Sequence, residues 1–192
     1  MKKIYLTFAL AGAVLGTFAP MALADEWDKL TKVTFSEPVE VPGMVLPAGT
    51  YEFKMLDSPG DRDIVQIYNA DQTILEETVL AVPDERIHAT GKTVIRFSER
   101  PSGSPQAVKA WFYPGSHTGI EFVYPHDRAA ELAKANKETV YSTRSDLSPY
   151  RTKHMKSGDA DAVKMKHSEV KSVQPGGNEE DVYKDVNSIE SK

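Results

Sequence analysis

No cysteine occurs among the 192 residues of this chain. Disulfides are therefore excluded as a source of stability, and so are a thiol nucleophile, a cysteine-ligated zinc and a lipid-modified N-terminal cysteine. The fold has to rest on an ordinary apolar core. Beyond residue 18 no apolar run is long enough to span a bilayer. Positive charge is not in excess either. Residues 25–136 carry 18 acidic against 11 basic side chains, and residues 137–192 carry ten of each. Binding a phosphate backbone needs a basic face, so nucleic acid is excluded as a partner. No serine stands in a Gly-x-Ser-x-Gly setting, and Ser102-Gly103-Ser104 lacks the lysine and helix of a phosphate loop.

The chain opens with Met1-Lys2-Lys3, an apolar run over residues 4–18 and Ala22-Leu23-Ala24 before the acidic Asp25-Glu26. Basic, apolar and small-residue zones in this order predict a secretory signal peptide over residues 1–24, cut after Ala24. The run is short for an uncleaved anchor and is broken by Gly12, Gly16 and Pro20. The expected mature product is exported, periplasmic or extracellular, with no transmembrane anchor.

Residues 30–124 form short runs rich in β-branched and aromatic residues, with candidate strands at 32–35, 39–41, 50–56, 63–68, 73–82, 92–98, 107–113 and 119–124. Several alternate strictly. Tyr51, Phe53 and Met55 share one face, opposite Glu52 and Lys54, the pattern of a strand with one side on a core. Nine prolines fall between these runs or at their ends, and turn signals recur about every ten residues. The spacing predicts an all-β fold, an antiparallel β-sandwich of seven or eight strands, Ig-like or jelly-roll-like, over 25–125; a small barrel is the alternative. The separations leave no room for helical crossovers, so a parallel sheet is not expected. After Pro125, Asp127 is placed to cap one short helix over 126–137, whose stripe of Ala129, Leu132 and Ala133 would lie on the sandwich. Over 138–192 the apolar residues are isolated among Ser, Lys, Asp, Gly and Glu, which predicts a disordered polar tail with Tyr141, Tyr150 and Tyr183 as adhesive points.

Three constellations carry candidate chemistry. Strict alternation along 107–113 turns Val108, Ala110 and Phe112 one way and Lys109, Trp111 and Tyr113 the other. With the first set inside, Lys109, Trp111 and Tyr113, with Glu121 on the neighbouring strand, form an outer face able to stack on a sugar ring. Against this, tryptophan is usually largely buried. His117, Glu121 and His126 make the second set, an imidazole and carboxylate combination that suits zinc, nickel or iron. Its His-x3-Glu spacing occurs in cupin barrels, but Gly115 stands where those have a further histidine. Within this second stretch, Ser116 and Asp127 add to His117 the residue types of a hydrolytic triad without its surroundings. Asp57, Asp61 and Asp63 around a Pro-Gly turn are the third set, a possible calcium loop that Arg62 neutralises from within. No cofactor is implied.

The pieces Val-Pro-Gly-Met-Val-Leu-Pro-Ala-Gly-Thr-Tyr-Glu-Phe (41–53), Ala-Trp-Phe-Tyr-Pro-Gly (110–115) and Glu-Phe-Val-Tyr-Pro (121–125) resemble a group of exported bacterial proteins with a small β-sandwich domain. The resemblance spans about residues 30–136 and implies location and fold, with no catalytic residues to carry over. The expected function is an exported, non-catalytic module binding an envelope component, a glycan or a protein. The alternative is a metal-binding protein or metal-dependent enzyme using His117, Glu121 and His126.

Overall fold

The computed structural model describes residues 30–56, 63–98, 100 and 103–183. The expected signal peptide and the Asp57/Asp61 turn lie outside the described residues. What is described is mostly strand, so the all-β class holds.

Strands β1 (Leu30–Phe35), β2 (Val39–Val41), β3 (Met44–Leu46), β4 (Gly49–Met55), β5 (Asp63–Asn69), β6 (Leu75–Glu85), β7 (Val94–Ser98), β8 (Gln106–Phe112) and β9 (Thr118–Phe122) belong to one sheet. Its order is β1-β4-β5-β6-β9-β8-β2-β3, with β7 on the other side of β8. The segments expected to stack as two sheets are thus hydrogen-bonded into one. That sheet bends back on itself. Six strand spacings separate β1 from β7, about 29 Å if flat, yet the rings of Phe35 and Phe97 lie 6.2 Å apart. Likewise Phe53 on β4 meets Trp111 on β8 edge-on at 5.9 Å, across four spacings of the sheet order. The curled interior holds Phe53, Val65, Ile67, Val79, Trp111 and Phe122.

Pairing is antiparallel apart from two short parallel contacts, β2 with β8 and β10 (Tyr124–Pro125) with β11 (Val140–Thr143). These are exceptions to the expectation of a purely antiparallel sheet. Pro83 lies inside β6 rather than beyond its end. It is tolerated because the pairing with β5 stops at Ala81, which leaves β6 with β9 as its neighbour there.

Helix α1 (His126–Asn136) follows β10 directly and buries Ala129, Leu132 and Ala133 in the interior core, the stripe expected from its sequence. Asp127 is not its cap. Pro125 holds the N-cap position, and Asp127 sits in the first turn, where a carboxylate favours the positive end of the helix dipole. Lys137 ends the helix in the left-handed region, φ 55°.

The expectation of a disordered tail is corrected for residues 138–183. They form β11, a 3-10 turn at Ser148–Tyr150, helix α2 (Ala160–Lys166), β12 (Lys171–Val173) and β13 (Glu179–Asp181). A second sheet runs β10-β11-β12-β13. Met155, Ala162, Met165 and Val170 pack on the outer face of the large sheet, against Ile64, Leu80 and Val82, and Tyr141, Tyr150 and Tyr183 pack around the same cluster. Each apolar residue is isolated in sequence, but all converge on one preformed apolar face, and burial there offsets their ordering entropy. Residues 184–192 lie outside the described residues. Among the described residues no helix is long and apolar enough to cross a membrane.

Candidate functional site

Trp111 is 2 % exposed and belongs to the interior core, so the outer aromatic face expected at Lys109, Trp111, Tyr113 and Glu121 is corrected. The cause is a β-bulge. Arg96 pairs with Ala110 and Phe97 with Val108, which leaves Lys109 as an extra residue in β8. One extra residue inverts the alternation beyond it. Val108 and Trp111 both face inward, and Tyr113 packs, half-buried, beside Trp111. Phe112 instead lies under the guanidinium groups of Arg86 and Arg96, at 5.0 and 4.4 Å.

The bulge does bring Lys109 to Glu121. Its ammonium lies 4.0 Å from Glu121 and 2.7 Å from Glu138. Burial pushes the Glu121 carboxyl up to about 7; Lys109 opposes that shift, while Asp84 and Glu138 add to it. This is a partly buried charged cluster, and the buried Trp111 offers no face to a sugar ring.

The proposed metal set is not assembled. Among the described residues no three His, Asp or Glu side chains gather as a metal site. The Nδ1 of His117 lies 3.3 Å from the Arg86 carbonyl oxygen. The triad reading fails as well, because the Ser116 hydroxyl pairs with Thr118 and Asp127 sits beside His126.

His126 instead borders a cleft of about 530 Å³ between the two sheets, lined also by Gly43, Glu77, Arg144, Ser145, Leu147 and Arg151. Glu77, on β6, is 1 % exposed. Burial pushes its carboxyl up, and Arg151 opposes this by donating from Nε and Nη2 at 2.7 Å each. Arg151 Nη2 also donates to the Gly43 carbonyl at 2.7 Å, so the β2–β3 turn is tied to the same ion pair. Gly43 has φ +95°, and a Cβ there would meet Glu77 Oε2 at 2.8 Å. A glycine is needed for both reasons.

On the far wall, His126 Nε2 lies 2.6 Å from Glu179 Oε1 and 2.7 Å from Arg144 Nη2, and its Nδ1 lies 3.1 Å from Asp127 Oδ1. Those two carboxylates raise its pKa. Arg144 Nη2 joins the same Glu179 oxygen at 2.8 Å. The cleft presents the anchored guanidinium groups of Arg144 and Arg151 beside the hydroxyls of Ser145 and Ser148 and the apolar Leu80, Val123 and Leu147.

Of this cleft, sequence reasoning named His126 and Asp127, each for another purpose. Glu77 reads as the polar side of a strand, while Arg144, Arg151 and Glu179 fall in the segment read as a tail. The only signal was the Pro42-Gly43 turn, which marks a tight hairpin but not its neighbours. Comparison of this chain with protein-family models, with curated proteins and with solved structures finds no match in any of the three.

Proposed function

We propose that the mature chain is an exported, non-catalytic binding module of the cell envelope, and that its ligand, a carboxylate-bearing envelope glycan, sits in the cleft between the two sheets. The leader read at residues 1–24 supports export. The observation that carries the site is the anchoring of its guanidinium groups: Arg144 and Arg151 are each oriented by a carboxylate. Oriented guanidinium groups recognise carboxylates well. Guanidinium groups locked in this way bind a ligand without supplying a base or nucleophile. A volume near 530 Å³ suits one or two sugar units and is too confined for a protein surface.

The test is calorimetric titration of the processed protein with acidic and neutral envelope saccharides. Acidic saccharides bind, neutral ones do not, and Arg144→Gln weakens binding about tenfold, the loss of one charge-assisted contact. A blank titration, or affinity unchanged in Arg144→Gln, overturns the site. A protein recovered from the cytoplasm with Met1 still attached overturns the export reading.

A further inference from the structure

A second groove, of about 610 Å³, lies on the outer face of β4 and β5 under the loop that carries His154 and Lys156. Its floor is built in register. Lys54 on β4 stands directly opposite Gln66 on β5, and Tyr68 follows two residues along on the same face. Gln66 is 2 % exposed and Tyr68 is buried as well.

These buried groups form a directed chain. Gln66 Nε2 donates to the Lys153 carbonyl at 3.2 Å, and Gln66 Oε1 accepts from the Tyr68 hydroxyl at 3.0 Å. With its hydrogen committed to Gln66, the Tyr68 oxygen is left to accept from His154 Nδ1, 3.3 Å away, and the two rings lie tilted at 34° with centroids 5.7 Å apart. Nδ1 is thereby the donor, and Nε2 remains for a ligand, as an acceptor when the ring is neutral and as a donor when it is charged.

The charges of the groove are unbalanced. Lys32, Lys109, Lys153 and Lys171 each pair with a carboxylate. Lys54 and Lys156, which line the groove, have no ion pair among the described residues. Of the nearby carboxylates, Glu52 pairs with Lys32 at 3.1 Å, and Asp159, which also lines the groove, accepts from the backbone N–H of Lys156 at 2.7 Å. Two ammonium groups and an oriented imidazole against this single lining carboxylate, in a chain of net charge −5, make a local positive focus.

We infer that this groove is a separate binding site for a phosphate monoester group, held by Lys54, Lys156 and His154 Nε2. A tetrahedral oxyanion offers an oxygen to each ammonium and a third, protonated or not, to the imidazole.

The test is an NMR titration of the processed protein with inorganic phosphate at constant ionic strength, reading the His154 ring and the two lysine side chains. Saturable shifts at all three are expected, and Lys54→Gln with Lys156→Gln together weaken them at least tenfold while spectral dispersion is kept. Arg144→Gln leaves this titration unchanged, which separates it from the cleft between the sheets. Displacement of phosphate by vesicles containing phosphatidic acid, whose headgroup is a phosphate monoester, supports the site with a lipid as the source, and persistence supports it with a soluble phosphate ester. Shifts that do not saturate in the millimolar range, or that are equal in the double variant, overturn the inference.

Discussion

Two residues on the outer face of β9 show how tightly single atoms constrain this fold. Gly119 lies opposite Phe112 in the ladder, under its ring. A Cβ at that position would sit 2.7 Å from the Trp111 carbonyl oxygen, a backbone atom that cannot yield. Gly119→Ala is expected to cost about 1–3 kcal/mol, as overpacking does, measured as a shift in the urea midpoint at constant slope. The neighbouring Glu121 makes a pH-dependent prediction. Its carboxyl titrates near 7 in the folded protein against an ordinary 4.5. Between those values the folded state keeps a proton that the unfolded state releases, so stability falls as the pH rises through this window and the penalty is complete above about 7. Glu121→Gln removes that penalty. It should stabilise the protein by on the order of 2 kcal/mol at pH 8 and by nearly nothing at pH 4.5. Equal denaturation midpoints for the two proteins at pH 8 would sink the assignment. Neither effect is visible along the chain, because each depends on what the opposite strand and β11 lay over the residue.

At the level of elements the instructive case is β8. The length and position of this strand are legible from its β-branched and aromatic run, and so are those of β2, β4 and β5. The side chains it buries are not, because the faces are set by the bulge at Lys109. A bulge is a property of two strands paired together and has no signature in one of them. Alternation read through that residue put Trp111 outside, whereas the core holds it. Helix α1 shows the reverse situation. Its stripe of Ala129, Leu132 and Ala133 is local, and the structure buries those three residues.

On the scale of the whole molecule, the large sheet has two apolar faces and needs two covers. Its inner face is closed by curling and by α1, and its outer face by residues 140–183. A chain ending at residue 137 would leave Ile64, Leu80 and Val82 in water. It is expected to bind a hydrophobic dye or aggregate, and Met165→Ala in the full chain should cost about 2–5 kcal/mol. A truncated chain that melts cooperatively at the wild-type temperature would contradict this arrangement. The same cover builds both grooves, since Arg144, Arg151, His154 and Lys156 reach the sheet only when the segment docks.

The amino-acid sequence by itself determined most of the strands between residues 30 and 122 and where the first helix lies, since both depend on propensity, period and turn residues within a few positions of one another. Tertiary structure alone decided which faces are inside, that the last third of the described chain is ordered, and which charges meet in a cleft. Those outcomes depend on the burial of isolated side chains against a surface formed by distant residues, and a local pattern carries no trace of that surface.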